Sequence, residues 1–406
     1  MESLPGDLAL LFILLVILPF AFAGDEPKVD PQTGLIRILF IGDSLMEAGH
    51  ITPYLYQDPM VALTRVPIYI TTELDERLLR VYFPRHQRQI YEGYDVIILG
   101  DAGVRIFPAN VQTWFKNGVI EKGLGFLMGG GPQSFGGFKA WEHPSYEGSI
   151  IADILPVICL RDSPYDLGDW FRMYPAPGYE DHPLMSGIPW EQVPLFCRNR
   201  VLPRQGSVVV GISDRNPPGS PILTYMEIGE GVSEAFVFDW GGNGPKEFHR
   251  WDYAPVVTSN LVYQIARVAI PEDITLIMLL RKQLTRYFSM RRYVISVIDF
   301  SDKFGANLRK SEAALKESDD DRKRVISLYL EGDHQGSLAS LEGAIANLDL
   351  VTELALKAKD EALFWVYVIE WFVVSGTSML TGAIVWTLMV RKSVYRDVGI
   401  TRFAGN

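Results

Sequence analysis

A serine between glycine and aspartate, at the end of an apolar run, is the first place where this sequence could do chemistry: Ile41-Gly42-Asp43-Ser44-Leu45, with Gly49 downstream. A nucleophilic Ser44 would need a His to take its proton and an Asp to orient that His. The chain offers Gly241-Gly242-Asn243-Gly244 late and Asp181-His182-Pro183 before it, and no Asp-x-x-His near the end of the domain. A wider set of polar residues falls in four turns, 42–47, 100–105, 129–137 and 239–243. In an open α/β sheet such turns meet outside the carboxyl ends of the strands, where ligands bind. The rim would then carry Asp43, Ser44, Glu47, Asp101, Arg105, Gln133, Ser134, Asp239 and Asn243. Backbone N–H groups at Gly129, Gly130 and Gly131 would make an anion nest, or the glycines simply permit a sharp turn. The six histidines have no metal-ligand spacing, and no Walker-type loop follows the first strand, so neither a metal nor a cofactor is expected.

Those turns need strands to hold them. Apolar β-branched runs predict strands over 37–41, 66–70, 95–99, 125–128, 208–212, 222–227 and 235–238, with helices over 110–121 and 253–268. The alternation reads as an α/β layer fold over 36–270. Pro271 closes it, and helical periodicity takes over in 272–361, a helical stalk. An amphipathic stretch over 274–304 carries Arg281, Lys282, Arg286, Arg291 and Arg292, read as a solvated face or, second, as a contact for lipid headgroups. The charged segment 317–321 is expected to break the helices. Beyond it Leu338, Leu341, Ile345 and Leu348 recur at helical spacing, for internal packing or, alternatively, pairing with a second copy.

The chain of 406 residues carries a net charge of −11, which argues against a nucleic-acid surface. Its mean hydropathy of +0.09 comes from two apolar segments. The first, 8–23, ends Ala21-Phe22-Ala23 and is too short to span a bilayer. It reads as a cleaved signal peptide over 1–23 or as a retained N-terminal anchor. The second, 371–390, has no charge and suits a transmembrane helix over 364–390, bordered by Trp365, Tyr367, Trp371 and Trp386. Arg391, Lys392, Arg396 and Arg402 follow in the tail 391–406, which places the tail in the cytoplasm and the domain outside. Within the span, Ser378 and Gly382 permit close contact with a second copy. The two cysteines, Cys159 and Cys197, are read as one disulfide or as two buried free thiols.

Two resemblances follow. The Ser44 segment resembles the nucleophile block of the SGNH esterases, whose remaining blocks are out of order here. The succession of Tyr94-Asp95-Val96-Ile97-Ile98-Leu99-Gly100-Asp101, the glycine-rich Gly125-Phe126-Leu127-Met128-Gly129-Gly130-Gly131 and Asp181-His182-Pro183-Leu184-Met185 resembles the class I glutamine amidotransferase-like superfamily. Together with the stalk and span, it is similar to membrane-anchored prokaryotic proteins of this layout, archaeal ones in particular. That resemblance implies a flavodoxin-like doubly wound sheet followed by a helical stalk and one transmembrane helix. It also implies a nucleophilic Cys at a tight elbow after the fourth strand, where this chain has Gly129. Glu247, His249 and Asp252 would have no thiol to serve. The expectation is a non-catalytic domain that binds a ligand or an envelope protein, with an exported hydrolase using Ser44 as the alternative.

Overall fold

The computed structural model describes residues 26–42, 51–70, 72–161, 165–215, 217–240 and 246–403. The leader 1–23 and, from the predicted rim, Asp43, Ser44, Glu47 and Asn243 lie outside the described residues.

The chain divides into two compact units. The first holds a mixed eight-stranded sheet in the order β2-β1-β3-β4-β12-β11-β10-β7. β1 (Ile36–Gly42), β2 (Val61–Pro67), β3 (Val96–Gly100) and β4 (Gly125–Gly129) run parallel, and β12 (Gly231–Phe236) joins β4 in the same sense. β3 and β4 are buried at every position, as central parallel strands must be when both faces are covered. β11 (Pro221–Ile228), β10 (Val208–Ser213) and β7 (Met173–Pro175) extend the sheet antiparallel. Gly229, at a φ of 58°, makes the two-residue turn between β11 and β12. Two small ribbons stand apart from the sheet: β5 (Val157–Cys159) with β9 (Val201–Pro203), and β6 (Asp166–Phe171) with β8 (Leu195–Arg198).

Helices α1 (Thr52–Tyr56), α2 (Glu73–Tyr82), α3 (Gln87–Gly93), α4 (Ala109–Lys122), α5 (Lys246–Arg250) and α6 (Ala254–Ile265) complete the first unit's layers. α2 starts at a capping box in which Thr72 and Asp75 satisfy each other's backbone N–H. Two predicted strands are misplaced. The expected strand 66–70 is β2, which starts at Val61 and stops at Pro67; as a half-exposed edge strand it lacks an apolar run. The expected strand 235–238 is β12, whose first residues, Gly231, Ser233 and Glu234, give little strand signal yet are buried.

The first unit extends past Pro271 to Arg281 and takes back Tyr329–His334. Arg281 lies in α7 (Ile274–Asp302). It is not part of a solvated basic face: its Nη2 is 2.8 Å from Asp58 Oδ2, both side chains are buried, and Tyr263 and Tyr329 hydroxyls close the cluster. Burial, the largest single influence, would lower the Arg281 pKa, but Asp58 together with the Tyr329 and Tyr263 hydroxyls outweighs it and holds the guanidinium above its usual value.

The second unit holds the rest of α7, α8 (Arg309–Leu330) up to Leu328, and α9 (His334–Phe403) from Gln335. The expected break at 317–321 is absent, because α8 runs through it. Asp319 pairs with Arg291, Asp320 with Lys323, and Asp321 accepts from Asn347, so the three aspartates are partnered where they stand. The turns fall instead at Gly305 and Gly332, both at positive φ. Leu341, Leu348, Val351 and Ala355 are buried, which is the internal-packing reading of that stripe. His334–Lys392 is apolar and long enough to cross a membrane, and its most apolar stretch is exposed.

Candidate functional site

At the carboxyl end of β4 the three glycines are enclosed. A Cβ on Gly129 would fall 2.2 Å from the Trp240 indole, and one on Gly130 would fall 2.3 Å from Val237 O. One on Gly131, at a φ of 149°, would fall 2.3 Å from the Asp101 carboxylate. Each space that a side chain would take is therefore filled from the segment after β3 or the segment after β12. Gly130 N donates to Phe236 O at 2.9 Å and Phe238 O at 3.1 Å, and Gly131 N donates to Asn199 Oδ1 at 2.9 Å. These two donors are committed to the protein and do not form an open anion nest.

Asn199 is the residue that sequence reading missed. Its amide also donates to Gly131 O at 3.0 Å and Ser134 O at 3.1 Å, so one side chain ties the loop at two points. It reaches the loop because Asn199 N donates to Val237 O, aligning 197–199 beside 237–239. No motif marks it; a buried polar residue after a short strand is the sole signal.

Asp101 follows β3 with a φ of 52°, rare for a residue with a side chain. Its Oδ1 accepts Gln133 N at 2.6 Å, tying the turn after β3 to the glycine loop. Gln133 Nε2 donates to the Tyr69 hydroxyl at 2.5 Å. The buried Tyr146 hydroxyl donates to Ala102 O beside them. The structure thus brings Asp101, Gly129, Gly130, Gly131, Gln133 and Ser134 together, whereas Arg105 stands exposed in a short 3-10 turn.

Asp239 lies deeper. It is buried, accepts from the Tyr165 hydroxyl, and donates its own N–H to Cys197 O. Burial, then the Asp239 charge, raises the Tyr165 pKa far above normal, so the phenol stays a donor. Cys197 and Cys159 are both free and buried, on ribbons β6–β8 and β5–β9, so the disulfide alternative does not hold. Burial pushes the Cys159 thiol up to about 12 and raises Cys197 as well, the opposite of an activated nucleophile. Among the described residues, no group of three or more His, Cys, Asp and Glu is placed to hold a metal ion.

The histidines of the His-bearing motifs are held by hydrogen bonds. His249 Nε2 lies 3.1 Å from Trp240 O and Nδ1 lies 3.2 Å from the Tyr54 hydroxyl; burial lowers its pKa. His182 Nδ1 accepts Leu184 N at 3.2 Å, and Trp190 Nε1 donates to Leu184 O, which fixes a turn over the core ring Phe236.

No curated protein matches the chain. Among solved structures, a β-galactosidase from Rahnella sp. R3 is 12% identical with a TM-score of 0.35, covering 60% of this chain and 32% of its own. A β-galactosidase from Bacillus circulans sp. alkalophilus is 10% identical with a TM-score of 0.34, covering 57% and 31%. An exo-β-1,4-mannosidase from Opitutaceae bacterium strain TAV5 is 12% identical with a TM-score of 0.30, covering 57% and 36%. The chain spans about a third of each of these proteins, and at such scores the overlap carries no argument. The family described as "Putative glutamine amidotransferase" matches residues 65–267, half of the chain, and the chain belongs to that family.

Proposed function

We propose that this protein is a membrane-anchored, non-catalytic amidotransferase-like module that binds a ligand or partner protein at the cell envelope. The observation that carries the reading is the filled elbow: Trp240 occupies the space beside Gly129 where a nucleophile's side chain would project. A thiol there would have neither room nor an exposed face, and both thiols of the chain are buried elsewhere. The parallel strands in the order β2-β1-β3-β4-β12 support a flavodoxin-like sheet with the ligand at its carboxyl end. The apolar stretch of α9 supports anchoring, and the basic residues after it support a domain outside the cytoplasm.

Two assays on the full chain in detergent test this reading together. The expected outcome is no release of ammonia from glutamine and no labelling by a fluorophosphonate probe. Ammonia release overturns the non-catalytic reading. Labelling that disappears in Ser44→Ala replaces it with an exported serine hydrolase.

A further inference from the structure

In the second unit three helices meet at one level. The Tyr287 hydroxyl on α7 donates to Ser318 O on α8 at 3.0 Å, and Ser318 Oγ donates to Ala344 O on α9 at 3.3 Å. α8 and α9 run antiparallel, since Ser337 Oγ bonds Val325 O while Ser318 meets Ala344. α7 turns back into α8 through the short segment 303–308. From the junction onward, therefore, α7 and α9 travel in the same direction.

That direction leads α7 to the start of the apolar span. Phe300 lies thirteen residues past Tyr287, and Lys357 lies thirteen past Ala344; at about 1.5 Å per residue both stand roughly 20 Å from the junction. Phe364 is only about 10 Å further along α9, and Phe304 closes part of that distance. Here α7 ends with its apolar rings outward. Phe300 is 45% exposed and Phe304 38% exposed, their centroids 4.9 Å apart, while Ser301, Leu308 and Ser311 between and after them are buried. Lys303, Arg309 and Lys310 follow the pair closely in sequence and are exposed, as are Asp299 and Asp302 on the helix side of it. An exposed aromatic pair at the hairpin turn, with three exposed cations in the turn and the first residues of α8, level with the approach to a membrane span, has the composition of an interfacial anchor.

We propose that the tip of this helical hairpin is a second membrane contact. Phe300 and Phe304 seat in the headgroup layer beside the span, and Lys303, Arg309 and Lys310 face lipid phosphates. This rests on the reading that α9 crosses a membrane. Of the basic residues nearer the junction, Arg291 is paired with Asp319 and Arg281 with Asp58, so neither takes part.

The test uses the full chain in vesicles of equimolar phosphatidylcholine and phosphatidylglycerol. A nitrobenzoxadiazole probe is placed by Lys303→Cys, which keeps both rings, by Leu380→Cys in the span, and by Arg286→Cys near the junction; the two native thiols are buried and stay unlabelled. Lipids carrying a spin label near the headgroup are expected to quench the probe at 303, iodide to quench it at 286, and deeper spin labels to quench it at 380. A probe at 303 that behaves like the one at 286 overturns the proposal. So does a probe at 303 protected from both iodide and lipid, which would mean that a second copy covers the tip. If position 380 escapes the lipid quenchers, membrane anchoring itself fails, and the tip contact fails with it.

Discussion

At Gly129 one added carbon would sit 2.2 Å from the Trp240 ring, closer than any relaxed packing allows. Gly129→Ala should therefore destabilise the fold by about 1–3 kcal/mol, the usual penalty of overpacking, read as a lower midpoint in urea unfolding. Gly129→Cys should lose stability similarly and release no ammonia from glutamine. The buried ion pair gives a contrasting case. Arg281→Met leaves Asp58 buried without its charge partner and should lower stability by about 3–5 kcal/mol in the same assay. Neither effect was legible in the sequence. The glycines read as turn formers, but Trp240 comes to Gly129 only because β12 lies beside β4. Arg281 belonged to a run of helical cations, and nothing local distinguishes it from Arg286, which is exposed.

Among the elements, β12 carries an unusual burden. Glu234 is fully buried between β4 and β11, and neither of its carboxylate oxygens has a hydrogen-bond partner. Burial raises its pKa well above the ordinary 4.5, so the folded chain keeps a proton that the unfolded chain releases. Stability from this group is therefore intact below about pH 4.5 and declines as the pH rises towards the folded value. Glu234→Met should raise stability by about 1–3 kcal/mol at pH 7–8, with the gain shrinking towards pH 4, as measured by thermal melts across that range. A carboxylate in mid-strand also explains why the strand start was misplaced: Gly-Val-Ser-Glu reads as a turn or a surface edge. The central strands β1, β3 and β4 were legible to within a residue or so at each end because burial on both faces forces uninterrupted apolar runs. Strands of three or four residues such as β5, β7 and β9 lack the length to show any period. The acidic run 317–321 looked like a helix break because its partners, Arg291 and Asn347, lie on other helices.

For the molecule as a whole, the apolar stretch of α9 predicts behaviour in fractionation. The full chain should stay in the membrane pellet through alkaline extraction and leave it only with detergent. Release by alkali alone would count against a spanning helix. The apolar stretch of α9 was visible because twenty uncharged residues in a row stand out, whereas the limits of the α/β unit were not. Arg281 and Tyr329 belong to that unit through side chains that meet across the chain, not through any change of composition.

Seventy residues without a break make α9 about 105 Å of continuous helix, and the same backbone that sets its length also sets its angle. The buried stripe Leu341, Leu348, Val351 and Ala355 and the exposed rings Phe364, Trp365 and Trp371 therefore keep a fixed azimuth to one another. One residue inserted between Ala355 and Phe364 would turn everything beyond it by about 100° while moving it only about 1.5 Å. Seven inserted residues would nearly restore the angle and add about 10 Å. A function that depends on orientation would fail with the first insertion and recover with the second; one that depends on distance alone would do the reverse.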